Sequence, residues 1–268
     1  MTRNSPARNL RVPERTVRPD HRGGPYDRRM PARPTGHEVL AAVLQVREDA
    51  LQVLLWQRGK DPHRGRWALP GGTLGDTEDV EESVRRQLAE KVDVREVTHV
   101  EQLGVFSAPE RVPGIRLVAT SFLGLVPSDV DPAVPADTAW FPVDDLPETA
   151  FDHAEIVHDA RDRLRAKLSY TNLGFALAPR EFTISALREL YVAALGHPVS
   201  ATNLQRVLTR RHVLAATGET APPGPAGGRP AAVFRFTERA LRVTDASAVL
   251  RPPGTRDSAG DGAVRPVP

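Results

Sequence analysis

Two periodicities divide the chain. Two short apolar, β-rich runs at 39–46 and 51–56 are separated by the polar Arg47-Glu48-Asp49, which predicts a hairpin. A loop at 57–66 and the stretch Trp67-Ala68-Leu69-Pro70-Gly71-Gly72 follow, and then Val80, Val84, Leu88 and Val92 recur at four-residue steps, which predicts an amphipathic helix. Further strands fit 100–106, 115–125 and 138–143. A second helix is predicted across about 155–168, with Ile156, Val157, Ala160 and Leu164 on one face and Leu168 as its last apolar contact. Strands and helices mixed in this order predict a sheet covered by helices.

The pattern changes after Ala178-Pro179. Ile184, Leu187, Leu190, Tyr191 and Ala194 mark a helix that stops at Gly196-His197-Pro198. Ser200 is placed to cap a second helix with Leu204, Val207 and Leu208 inward. Short strands at 213–217 and 231–236 then flank a Gly/Pro loop at 218–230, so the outline is a winged helix-turn-helix. The two ends have few apolar residues, many breakers and no period, and cannot bury enough surface to offset the entropy of ordering. The expected organisation is a disordered basic arm at 1–36, a first domain at 37–168, a linker at 169–182, a winged helix at 183–242 and a disordered tail at 243–268.

Composition removes several classes of function. The absence of cysteine excludes disulfides, thiolate chemistry and Cys-ligated zinc. No apolar run approaches the roughly 18–20 residues that span a bilayer, and the N-terminal arginines have no apolar stretch behind them, so neither membrane insertion nor a secretory signal is expected and the default location is cytoplasmic. The formal net charge of +2 conceals its parts. Residues 1–36 hold nine arginines against three acids, 37–168 hold 15 basic and 24 acidic side chains, and 169–242 hold nine arginines against four glutamates. Such asymmetry points toward nucleic acid, although an Arg-rich composition also decorates solvated faces.

The helix after Ser200 sharpens that point. With Leu204, Val207 and Leu208 inward, Thr202, Asn203, Gln205, Arg206, Thr209, Arg210 and Arg211 are left outward, a set of donors and acceptors suited to base edges and phosphates. No acidic residue occurs from 190 to 218, whereas a merely solvated helix face mixes signs. A small helical protein-interaction module is the alternative. Arg229, in Gly227-Gly228-Arg229-Pro230 at the wing tip, is placed to reach a minor groove, or belongs to a plain loop.

In the first domain, Gly72, Glu78, Arg86, Leu88, Glu90 and Val94 stand at the spacings G-x5-E-x7-R-E-U-x-E-E-x-G-U, where U is aliphatic. With the lead-in at 67–72, the region 37–168 resembles a Nudix domain. In active members, three box carboxylates on one helix face bind Mg²⁺ or Mn²⁺ against a pyrophosphate. The corresponding residues here are Gln87, Glu90 and Lys91, and Asp93 replaces the following glycine. The expectation is that fold and nucleotide pocket persist while hydrolysis is lost. No catalytic residue or metal is then required, and Mg²⁺ enters only if hydrolysis is retained, for instance through carboxylates such as Glu78, Glu81 or Glu82. The resemblance to ADP-ribose-type members implies ligand contacts from Arg58, Arg66, Gly71, Gly72, Arg86 and His153. Taken alone, each arginine can equally be solvated or structural, Arg86 above all, and Asp152-His153 can equally be a helix start.

Together the two units resemble the Nudix-related transcriptional regulators of NAD metabolism, the NrtR family. The stretch 175–183, Phe-Ala-Leu-Ala-Pro-Arg-Glu-Phe-Thr, and the residues Gly227-Gly228-Arg229-Pro230-Ala231 before Val233-Phe234-Arg235-Phe236 follow that family's pattern. The resemblance covers about 37–236. It implies an α/β fold in which a Nudix-type α/β/α sandwich is followed by a C-terminal winged helix-turn-helix. It also implies a homodimeric repressor of NAD biosynthesis or salvage genes, bound to a palindromic operator and released by ADP-ribose or a related nucleotide. The change on release is expected at the dimer interface or the interdomain joint around 168–182. The alternative is a Mg²⁺-dependent Nudix hydrolase of ADP-ribose or a similar nucleoside diphosphate derivative.

Overall fold

The structure, a computed structural model, describes residues 35–222 and 230–245. Arg229 and nearly all of the expected arm and tail lie outside the described residues. The first domain runs β1 (Thr35–Arg47), β2 (Ala50–Gln57), β3 (Trp67–Ala68), β4 (Gly71–Thr73), α1 (Val80–Lys91), β5 (His99–Phe106), β6 (Arg116–Leu125), β7 (Thr138–Pro142) and α2 (His153–Tyr170). A short 3-10 turn, Leu173–Ala176, leads to β8 (Phe182–Thr183), α3 (Ile184–Leu195), α4 (Ala201–Arg210), β9 (Leu214–Ala221) and β10 (Ala231–Phe236). Thr35 and Gly36, expected in the arm, begin β1. No helix among the described residues is long and apolar enough to cross a membrane.

β1 and β2 form the expected hairpin. Their two-residue turn is Glu48-Asp49, with φ of 49° and 62°, the doubly left-handed geometry that matches the twist of paired strands. The large sheet runs β3-β2-β1-β6-β5, with β4 added on β1 and β7 on β2, and β1 lies parallel to β6. β1 is buried on both faces, which is why its sequence is a continuous apolar run without alternation. Val39, Ala41 and Val43 face one way, into a cluster with Val84 and Leu88 of α1. Leu40, Ala42 and Leu44 face the other way, toward Ile156, Val157 and Leu164 of α2. The result is the predicted helix–sheet–helix sandwich.

The second face does not stop at α2. The cluster that holds Leu40 and Leu44 also holds Leu187 and Leu190 of α3, Leu204 and Leu208 of α4, and Phe236 of β10. The segment 169–182, expected as a linker, joins the domains by burial: Leu173, Phe175, Ala176, Leu177 and Ala178 are buried in this shared core. Backbone bonds reinforce it, with Ser128 N–H donating to the Leu177 carbonyl at 2.8 Å. Arg165 of α2 donates to the Ala194 carbonyl at the end of α3, where a cation suits the helix dipole.

The winged helix carries a third strand that periodicity did not predict. β8 has only two residues, and pairs with β10 in the order β8-β10-β9. Thr183 ends it and caps α3 by accepting from Ala186 N–H, and the helix closes on Gly196 at φ 76°, a left-handed position that favours glycine. Ser200 caps α4 as expected, accepting from Asn203 N–H.

Candidate functional site

β4 carries the glycine loop onto β1, with Gly72 opposite Val39 and Gly71 opposite Leu40. A Cβ at Gly71 would overlap the Val39 carbonyl oxygen, so the close pairing needs glycine there. Asp79 starts α1 through a capping box: its carboxylate accepts from Glu81 and Glu82 N–H at 2.8 Å, and Glu82 accepts from Asp79 N–H at 3.0 Å. The helix therefore leaves the loop in a fixed direction, with Gln87 and Lys91 facing back toward it. A Cβ on Gly72 would lie 2.8 Å from the Gln87 side-chain amide and 2.9 Å from Lys91 Nζ. Lys91 donates to the Gly71 carbonyl and lies 5.5 Å from the Trp56 ring centroid.

The box acids are engaged elsewhere. Glu78 accepts from Arg86 Nη2 at 2.5 Å, from Arg86 Nε at 2.8 Å and from Gly75 N–H at 2.8 Å. Those hydrogen bonds, Arg86 foremost, hold its carboxyl down to about 2. Arg86 also pairs with Glu90 at 3.1 Å, Glu81 pairs with Arg85 at 3.0 Å, and Glu82 is part of the cap. Among the described residues no three His, Asp or Glu side chains converge as a metal-ligating group. At the three box positions stand a buried amide, an ion-paired carboxylate and an ammonium already bonded to the loop. A divalent ion wants hard anionic oxygens, and these residues do not fit one.

The remaining proposed ligand contacts are distributed around this loop. Arg58 lies over the Phe151 ring, 4.8 Å from its centroid, and donates to the Pro62 carbonyl. Arg66 pairs with Glu148 at 2.6 Å in a setting exposed enough that the pair contributes little to stability. His153 is enclosed by protein. It is buried at the start of α2, and its Nδ1 accepts from Leu69 N–H at 2.9 Å, which ties α2 to the lead-in of the loop. Burial lowers its pKa to about 3, so the ring is neutral.

The second candidate site is α4. Thr202, Asn203, Arg206, Thr209 and Arg210 are exposed, and Gln205 is half-buried. Arg206 donates to Asn203 Oδ1 at 2.8 Å, which aligns the two side chains along the helix. Arg211 departs from the outward set. Its guanidinium turns back, donating to the Ser169 carbonyl and pairing with Asp245, both at 2.8 Å, so it braces the end of α4 against the end of α2. Val207, expected inward, is only partly buried.

Residues 36–160 match the NUDIX domain family, and residues 174–236 match the NrtR DNA-binding winged helix domain. The crystal structure of Shewanella oneidensis NrtR complexed with a 27mer DNA superposes with a TM-score of 0.66 at 31% identity, over 74% of this chain and 92% of that one. The chain belongs to the NrtR family. The ADPR responsive transcriptional repressor NtrR of Acinetobacter baylyi is 29% identical over 206 residues, 73% of this chain and 79% of its own. An ADP-ribose pyrophosphatase of Methanocaldococcus jannaschii is 34% identical over 111 residues, which is 40% of this chain and 64% of that enzyme.

One residue important to this NrtR-family chain was missed from the sequence. Arg111, in the loop after β5, is buried and pairs with Glu38 of β1 at 2.5 Å and with both carboxylate oxygens of Asp152 at 2.7 and 2.8 Å. It clamps the start of α2 to β1 beside the glycine loop. Its segment, Ala108-Pro109-Glu110-Arg111-Val112-Pro113, has no period and no motif, so nothing local distinguishes it from a solvated arginine.

Proposed function

We propose that this protein is a transcriptional repressor that binds an operator through α4 and its wing and is released by ADP-ribose or a related nucleotide bound at the glycine loop. The observation that carries the reading is the exposed face of α4, polar and basic with no acid in 190–218, on a winged helix whose core is continuous with a nucleotide-type fold. Adenosine diphosphate ribose is the ligand class supported by two relatives, one named as responsive to it and one named for cleaving it. Binding without cleavage follows from the box: the carboxylates that would hold a divalent ion are absent or ion-paired. Its target genes are those of NAD synthesis or salvage, and its cofactor requirement is nil.

The chain acts as a homodimer. Two recognition helices then meet half-sites one helical turn apart, which makes the operator palindromic. Nucleotide releases DNA only by preferring the arrangement that DNA does not, with a coupling of about 1–3 kcal/mol. A gel shift on promoters of NAD synthesis and salvage genes, with and without ADP-ribose, tests the reading. A shift that ADP-ribose reverses supports it, and no shift on any such promoter at moderate salt overturns it.

A further inference from the structure

The ion pairs around the glycine loop leave two cations without a direct partner. Glu78 and Glu90 both pair with Arg86, and Glu38 and Asp152 both pair with Arg111. Lys91 is left with no carboxylate within ion-pair distance among the described residues, although it is the side chain whose ammonium is folded onto the loop. An ammonium has three donors, and the Gly71 carbonyl takes one. Arg58 is in the same condition, with a ring and a carbonyl for partners and no acid. Two cations outside any ion pair among the described residues are therefore left near the loop, and Lys91, an exposed residue, touches it directly because Gly72 has no side chain in the way.

We propose that the Lys91 ammonium is the resident cation of this site, binding the diphosphate of the nucleotide directly so that binding needs no divalent metal. This rests on the sensor reading above. Trp56 beneath the ammonium and the Gly71 carbonyl fix its position, so the charge is in place before the ligand arrives. Gln87, buried and packed against Gly72, is the matching change: a carboxylate there would draw Lys91 into an ion pair and cancel the charge offered to the ligand. A tethered ammonium compensates phosphate charge, yet it cannot coordinate water and lower its pKa as a metal ion does. The same substitution thus retains the ligand and leaves its diphosphate intact.

Calorimetric titration of the full chain with ADP-ribose, in EDTA and again in excess Mg²⁺, tests this. The wild-type Kd is expected to agree between the two buffers within about twofold. Lys91→Met is expected to weaken binding about tenfold or more in both, equivalent to about 1.4 kcal/mol, while Lys91→Arg stays within about threefold. The double variant Gln87→Glu/Lys91→Glu is expected to bind about tenfold better in Mg²⁺ than in EDTA. A wild-type affinity that rises about tenfold on adding Mg²⁺, or a Lys91→Met protein that still binds DNA and holds ADP-ribose as tightly as wild type, overturns the proposal alone. Absence of wild-type ADP-ribose binding in either buffer overturns the sensor reading with it.

Discussion

Replacing Arg111 with methionine removes a buried cation while keeping the length of its stem. The Arg111 side chain is 1% exposed, and the side chains of its partners Glu38 and Asp152 are 18% and 17% exposed. Three charge-assisted hydrogen bonds disappear, and two carboxylates are left facing each other with little water. Deleting one partner of a buried ion set costs about 3–5 kcal/mol, against about 5–15 kcal/mol for the whole stability of a typical domain. With a urea m-value of about 2 kcal/mol/M, the midpoint should fall by about 1.5–2.5 M. Fluorescence reports it directly, because all three tryptophans, Trp56, Trp67 and Trp140, lie in the first domain. The triple variant Glu38→Gln/Arg111→Met/Asp152→Asn should recover much of the loss, since a whole buried ion set can be replaced nearly neutrally. A shift below about 0.5 M for Arg111→Met, or a triple variant as unstable as the single, would refute the reasoning.

Three further outcomes are expected. Because burial lowers the pKa of His153 from 6.5 to about 3, the unfolded chain takes up a proton that the folded one refuses as pH falls below 6.5. Stability should therefore be full above pH 6.5 and drop by about 2 kcal/mol by pH 5, and His153→Asn should flatten that slope in urea titrations run across this window. Arg206→Ala and Arg210→Ala should each weaken operator binding by about 1–3 kcal/mol where the side chain reads a base, or reduce the salt dependence by about one unit where it holds a phosphate, as measured by fluorescence anisotropy. Arg211→Ala should instead lower thermal stability without DNA, by about 1–2 kcal/mol for lost charged hydrogen bonds, whereas Arg210→Ala should leave it unchanged in the same calorimetric scan.

Much of this was legible in the sequence because it is written in local periods. The four-residue steps of Val80, Val84 and Leu88 place α1, the two unbroken apolar runs place β1 and β2, and Ser200 places the start of α4. What periods do not encode is where a long side chain ends. Arg211 follows Arg210 in the same basic run, yet it turns inward because Ser169 and Asp245, 42 and 34 residues away, offer it an oxygen. His153 reads in sequence as a ligand contact or a helix start; that its Nδ1 accepts from Leu69 N–H, 84 residues earlier, is not written there. β8 is too short to show an alternation, and exists because β10 offers it an edge. Lys91 could be recognised as out of place from its position alone; that its ammonium reaches the Gly71 carbonyl could not.

The core that runs from Leu40 to Phe236 has a consequence for genetics. A lesion at Leu44 or Leu164 touches neither operator nor nucleotide, yet it loosens the surface on which α3 and α4 rest. Alleles that lose repression are therefore expected at buried positions of both halves, in numbers that follow burial rather than nearness to DNA. Alleles that repress but no longer respond to nucleotide should be confined to the few side chains at the glycine loop, and their rarity would mark the sensor more clearly than any count of defective repressors.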